Sequence, residues 1–115
     1  MLQIREERET ASEIDVEQGN ICIKFGAPWC GPCTLIEPVF RKFASTPGRQ
    51  AVYLSVNIDL NADYVARYQI LNLPTFVFLS EGKEISRMVG SSPDLLKKQI
   101  DEFEERIASR SAEEP

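Results

Sequence analysis

Two cysteines separated by two residues constrain this chain more than any other feature of its sequence. Cys30 and Cys33 enclose Gly31 and Pro32, and the stretch follows an apolar run and precedes a helical pattern. Two thiols at this spacing can close on each other, and they fall in the first turn of the following helix. Because a helix N-terminus carries partial positive charge, it lowers a cysteine pKa below the free value of about 8.5. The sequence therefore predicts that Cys30 is a nucleophile near neutral pH.

This Cys-x-x-Cys pair has two interpretations, a redox-active dithiol or half of a zinc site. Structural zinc sites use four Cys or His ligands. The chain has 3 cysteines and 0 histidines, and the third, Cys22, lies within a strand pattern. The redox interpretation is therefore favoured, with no metal. We interpret Cys22 as a small buried hydrophobe, and its place on the same strand face as Lys24 leaves a minor regulatory role open.

Composition narrows the class of protein further. A length of 115 residues suits one domain, and a hydrophobic content of 43% with 27% charged residues is ordinary for a globular chain. The net charge is −5 and no basic cluster is present, so nucleic acid is not an expected partner. No apolar run approaches roughly 18 residues, so no membrane contact is expected. The odd cysteine count predicts a reducing intracellular compartment, which is the cytosol or the mitochondrial matrix. A targeting segment that was removed before residue 1 remains an alternative.

The hydrophobic pattern alternates between strand and helix periods along the chain. Strands are predicted at 2–5, 21–27, 51–58, 75–79 and 84–89, and helices at 10–18, 31–45 and 93–108. A further short helix is predicted through residue 68, with the polar residues 59–61 as its cap. The order β-α-β-α-β-α-β-β-α predicts an α/β fold, in which a central mixed β-sheet is flanked by helices on both faces. We expect a single domain over residues 1–108 and a polar C-terminal tail at 109–115.

Several segments resemble the thioredoxin family. Trp29 to Cys33, at a strand-to-helix junction, matches all five residues of the family's Trp-Cys-Gly-Pro-Cys active-site signature, and Pro38 matches a family proline beyond it. Asn72 to Thr75 resembles the segment whose cis proline packs against the active-site disulfide. Gly82 and Gly90 match two further glycines of the family.

The resemblance covers about residues 21–103 and implies the thioredoxin fold. It also implies a thiol–disulfide oxidoreductase in which Cys30 attacks a substrate disulfide and Cys33 resolves the mixed disulfide. The implied substrates are protein disulfides, the electron donor is a reductase or a low-molecular-weight dithiol, and no cofactor is required. We expect a monomer. The substrate-binding residues that the resemblance implies are Trp29, Leu73, Pro74 and the backbone near Gly90.

The chain departs from the family beneath the motif. Lys24 stands where thioredoxins usually have a buried aspartate, and Ser55 stands where many have a lysine that partners it, so the usual charge pair is not expected. Gly26 replaces a large aromatic residue and Thr34 a basic one. Lys24 has two open outcomes: its ammonium reaches water and contacts nothing, or it stays beneath the motif and favours the reduced form through a nearby thiolate. In the second case turnover would be weak.

These departures motivate an alternative function. The same apolar surface could hold unfolded or partner polypeptides in a chaperone-like, redox-switched binding module. We rank catalysis first because the intact five-residue motif, in which Trp29, Gly31 and Pro32 shape the site around the cysteines, is more specific than substitutions around it.

Overall fold

A computed structural model of the chain describes residues 4–5 and 15–113. The strands are β1 (Ile4–Arg5), β2 (Asn20–Gly26), β3 (Val52–Asn57), β4 (Thr75–Ser80) and β5 (Lys83–Val89). The helices are α1 (Gly31–Ala44), α2 (Ala62–Arg67) and α3 (Pro93–Glu113), and a 3-10 turn at Ile58–Leu60 precedes α2. None of the described helices, α3 included, has the apolar length that crossing a membrane requires.

The strands form one mixed sheet in the order β1-β3-β2-β4-β5. The central strand β2 runs parallel to β3 and antiparallel to β4, which explains why its residues after Asn20 are all buried. β4 and β5 form the predicted antiparallel hairpin. Its turn places Gly82 at φ +84°, a conformation that glycine adopts at little cost.

Helices cover both faces of the sheet, as predicted for this fold class. On one face, Phe76 of β4 packs with Phe40 of α1 and Ile100 of α3 in one apolar core. On the other face, Phe25 of β2 packs in a second core with Tyr68, which follows α2. The end of β2 and the start of α1 meet between these layers, and this junction carries the two cysteines.

Three segments differ from the sequence prediction. The predicted helix at 10–18 lies partly outside the described residues, and its described part is a turn because the Asp15 carboxylate accepts a hydrogen bond from Glu17 N at 3.0 Å. The short helix predicted through residue 68 is α2, whose N-cap residue is Asn61, but an unpredicted 3-10 turn precedes it because the Asn57 side chain accepts a hydrogen bond from Asp59 N. Residues 109–113, predicted as tail, continue α3 because no glycine or proline interrupts them.

Candidate active site

The N-terminus of α1 positions the first cysteine. Cys30 is the N-cap residue, with extended backbone, and its Sγ accepts a hydrogen bond from Cys33 N at 3.3 Å. Gly31 and Pro32 fill the first helical positions, where a missing proline N–H costs no intrahelical bond. The sulfur of Cys30 therefore lies where the helix end and an N–H donor both favour a thiolate.

Cys30 and Cys33 are joined by a disulfide, and their Cα atoms are 5.3 Å apart. Both residues are buried, Cys33 more deeply, at 2% exposure against 8% for Cys30. They form a small apolar cluster with Ala27, against which Leu73 packs. The sequence-predicted pair is thus brought together in its oxidised form.

An apolar groove opens beside Cys30. It encloses about 450 Å³ and is lined by Trp29, Cys30, Ile58, Ile70, Leu71, Asn72 and Leu73. Trp29 and Leu71 are 67% and 87% exposed, so they present apolar surface to an incoming molecule. The Trp29 indole Nε1 donates a hydrogen bond to Asp59 Oδ2 at 2.9 Å, which fixes the ring at the groove edge. Sequence reasoning missed this role of Asp59.

The remaining predicted contact residues lie behind the groove. The Leu73–Pro74 peptide bond is cis, and Pro74 is buried. Gly90 N donates a hydrogen bond to Pro74 O at 3.0 Å, so the start of β4 and the end of β5 are joined at this point. Gly90 has φ +116°, which a larger residue would adopt only with strain.

Lys24 lies beneath the disulfide and is buried there, at 4% exposure, so its ammonium does not extend to the protein surface. Its Nζ donates a hydrogen bond and forms an ion pair with Oε1 of Glu37 on α1. Ser55 Oγ donates to the same oxygen at 3.2 Å, and Arg41 Nε donates to Oε2 at 2.9 Å. The family's usual pair is absent, as the residues at positions 24 and 55 predict, and α1 supplies a different acid, Glu37, that was not predicted from the sequence.

Gly26 allows Lys24 and Cys33 to approach each other. A Cβ atom at residue 26 would lie 3.1 Å from Cys33 Cβ, 3.2 Å from Cys33 Sγ and 3.6 Å from Lys24 Nζ. The missing side chain leaves a second cavity, of about 210 Å³. Its lining combines apolar surface with charged and hydroxyl groups and comprises Lys24, Gly26, Ala27, Pro28, Cys33, Thr34, Glu37, Arg41, Ser55, Val56 and Asn57.

Glu37 was not singled out from the sequence. One signal was present, since Glu37 follows Cys33 by four residues and such pairs share a helix face. Its partner Lys24 lies on a strand, however, and a contact between a strand and a helix produces no recognisable spacing in the sequence.

Cys22 is a core thiol on the face of the sheet that α1 and α3 cover. It is fully buried, and burial, followed by the charge of Glu104, raises the pKa of its thiol. A thiol with a raised pKa is inert at neutral pH. This agrees with its interpretation as a small hydrophobe.

Comparisons with known proteins agree with this geometry. The sequence profile of the thioredoxin family matches residues 2–102. Thioredoxin H7 of Arabidopsis thaliana is 38% identical over 105 residues, covering 89% of this chain and 81% of the relative. Thioredoxin-2 of Saccharomyces cerevisiae is 34% identical over 96 residues, covering 80% and 91%.

Solved structures give the same result. The thioredoxin of Malassezia sympodialis aligns with a TM-score of 0.77 and 32% identity, covering 90% of this chain and 91% of that chain. These relatives are thioredoxins, which supports oxidoreductase chemistry and gives no support to the polypeptide-binding alternative. Proteins of this family act on protein disulfides with reductase partners. With its disulfide at the start of α1, the chain belongs to the thioredoxin family of thiol–disulfide oxidoreductases.

Proposed function

We propose that Cys30 is the nucleophile and Cys33 the resolving cysteine in the reduction of protein disulfides. The observation that carries this assignment is the place of Cys30 Sγ, at the N-cap of α1 and on the wall of an open groove. Cys33 lies deeper and does not line that groove. Gly31 and Pro32 hold the two sulfurs at this spacing.

The reaction transfers two electrons in two exchanges. The Cys30 thiolate attacks one sulfur of the substrate disulfide, the substrate S–S bond breaks, and the leaving thiolate takes a proton. Cys33 then loses its proton and attacks Cys30 Sγ, which releases the second substrate sulfur as a thiolate. The substrate becomes a dithiol and the protein holds the Cys30–Cys33 disulfide.

The groove beside Cys30 suits an extended polypeptide with apolar residues near its disulfide. Trp29 and Leu73 supply apolar contact, while Pro74 and Gly90 hold the backbone behind them. Contacts of this kind hold the substrate sulfur close to Cys30 Sγ. Because the two sulfurs are then already positioned for attack, thiol–disulfide exchange is faster.

We further propose that the charge pair of Lys24 and Glu37 sets the redox balance of the site. A cation near Cys33 stabilises a thiolate more than it stabilises the uncharged disulfide. Glu37 opposes this effect because its carboxylate contacts the same ammonium. The pair therefore offsets much of the preference for the reduced form that Lys24 alone would give.

The partners follow from the site and the composition. Oxidised protein needs an electron donor, which is a reductase or a low-molecular-weight dithiol. The odd cysteine count and the net charge of −5 support a monomer in a reducing intracellular compartment, without nucleic acid or membrane partners.

Insulin reduction tests the proposal. Reduced wild-type protein should reduce insulin disulfides in a single turnover, and Cys30→Ser and Cys33→Ser should each abolish complete reduction. Cys22→Ser is the matched control and should retain activity, because Cys22 lies in the core away from the groove. Wild-type protein that fails to reduce insulin, yet suppresses aggregation of a denatured protein, would overturn the proposal in favour of polypeptide binding.

A further inference from the structure

The two cysteines of the disulfide open onto different cavities. Cys30 lines the groove beside Trp29, and Cys33 lines the cavity beside Gly26. Of the residues that the structure describes, none lines both cavities. The disulfide therefore borders two spaces of different size, of about 450 Å³ at Cys30 and about 210 Å³ at Cys33.

We propose that the cavity beside Gly26 is a second reaction site, through which low-molecular-weight thiols reach Cys33 and reduce the oxidised protein. This inference rests on the proposed function and names the class of its electron donor. The cavity of about 210 Å³ is many times the roughly 10–15 Å³ that admits one water molecule. A small thiol fits there, whereas a folded protein does not.

The residue at position 26 controls access to Cys33. A side-chain Cβ there would lie within 3.2 Å of both Cys33 Cβ and Cys33 Sγ. Only glycine, which has no Cβ, keeps the space beside these two atoms free. Hydroxyl and charged groups of Ser55, Thr34 and Lys24 also line the cavity, so a thiol with a polar substituent finds hydrogen-bond partners there.

Attack at Cys33 is also the favourable direction of exchange. A disulfide opens faster when the leaving sulfur is the more stable thiolate. Cys30 is that sulfur, because it lies at the N-terminus of α1 and accepts a hydrogen bond from Cys33 N. A nucleophile that reaches Cys33 therefore expels the better leaving group.

The balanced reaction uses two thiols. The first thiolate attacks Cys33 Sγ, the bond to Cys30 breaks, and Cys30 leaves as a thiolate. A second thiolate attacks the sulfur of the bound thiol and releases Cys33, giving a small-molecule disulfide. Two electrons pass to the protein, and the protons of the two thiols protonate the protein dithiol.

The test measures reduction of the oxidised full chain by excess 2-mercaptoethanol. Samples are quenched with acid, alkylated and counted for free thiols by mass spectrometry. Gly26→Ala closes the cavity against Cys33, and Ser55→Val fills it from β3. Both should slow reduction by at least about tenfold, since access controls the rate of exchange.

Two leucine variants serve as controls. Leu71→Ala changes only the groove at Cys30, so it should slow insulin reduction and leave the 2-mercaptoethanol rate unchanged. Leu95→Ala, partly exposed on α3, should change neither rate. If Gly26→Ala does not fold, Ser55→Val decides the question alone.

Unchanged 2-mercaptoethanol rates in the folded cavity variants would overturn the inference. Equal slowing by Leu71→Ala would also overturn it, because the thiol would then enter through the groove. Insulin reduction by reduced wild-type protein is scored separately. If reduced wild-type protein does not reduce insulin, the proposed function is rejected. If it reduces insulin but the cavity variants keep the wild-type rate of reduction by 2-mercaptoethanol, only the second site is rejected.

Discussion

At the scale of single residues, the unusual feature of this protein is a lysine where its family usually carries an acid. Lys24 is buried and paired with Glu37, which comes from a helix and not from the neighbouring strand. A charge pair is therefore present beneath the disulfide, with the cation on β2 and the acid on α1. Substitutions of the two residues should act in opposite directions.

Lys24→Met removes the cation and should lower the reduction potential, because the thiolate form loses a favourable charge. Glu37→Gln leaves the ammonium unopposed and should raise it. Shifts on the order of 30 mV, or about 1.4 kcal/mol, are expected. Equilibration with glutathione measures them, with surface Lys97→Met as the unchanged control. Lys24→Asp should lower the reduction potential as Lys24→Met does. Shifts of the same sign in Lys24→Met and Glu37→Gln would show that the pair does not set the potential.

The three cysteines should differ sharply in reactivity. In the reduced protein near neutral pH, iodoacetamide should alkylate Cys30 first, since its thiolate is stabilised at the N-cap. Cys22 should react only after unfolding, because it is fully buried and burial raises the pKa of its thiol. Peptide mapping by mass spectrometry gives the order. Modification of Cys22 or Cys33 ahead of Cys30 would contradict the assignment of roles.

At the scale of elements, a buried carboxylate ties α3 to the start of β3. Glu104 accepts hydrogen bonds from Gln50 N at 2.7 Å, Ala51 N at 3.1 Å and Tyr53 OH at 2.6 Å. The two backbone donors precede the strand, and among the described residues neither pairs in a strand ladder. The contact therefore fixes the register of α3 on the sheet.

Glu104→Gln should lower the free energy of unfolding by about 1–3 kcal/mol, since an amide nitrogen cannot accept these bonds. Glu105→Gln, at the exposed next position of α3, should have little effect. Urea unfolding at neutral pH measures both variants. Equal stability of the two would mean that the carboxylate does not join α3 to β3.

The elements themselves were largely predictable, and the contacts between them were not. Apolar runs and helical spacing predicted β2, α1 and the β4–β5 hairpin, because burial on one or both faces imposes a local period. The roles of Glu37, Asp59 and Glu104 depend on partners 13, 30 and more than 50 residues away. The sequence around each of these side chains indicates only an ordinary polar surface residue. The two cysteines were predictable because both partners lie within one turn.

At the scale of the whole molecule, stability should fall as the pH becomes alkaline. Burial raises the pKa of the Cys22 thiol and, with the hydrogen bond to Glu104, the pKa of Tyr53. The native state keeps both groups protonated, whereas the unfolded chain ionises them above about pH 8.5 and pH 10. The native state then binds more protons than the unfolded state, so the free energy of unfolding decreases as pH rises.

Cys22→Ala should flatten this decrease between about pH 8.5 and pH 10. Urea unfolding of the oxidised protein is the suitable measurement, because Cys30 and Cys33 do not titrate while they form a disulfide. Cys22 is then the sole titrating thiol of the 3 cysteines. An unchanged slope in the variant would show that Cys22 does not contribute to the alkaline loss.

The central claim is that Cys30 attacks protein disulfides and Cys33 resolves them, and covalent trapping tests it most directly. Reduced Cys33→Ser protein is mixed with insulin, quenched with acid and mapped by mass spectrometry, beside Cys30→Ser. We expect a dithiothreitol-sensitive mixed disulfide on Cys30 in the first variant and no adduct on Cys33 in the second, since Cys33 does not line the groove. An insulin adduct on Cys33, or no adduct in either variant, would contradict the account.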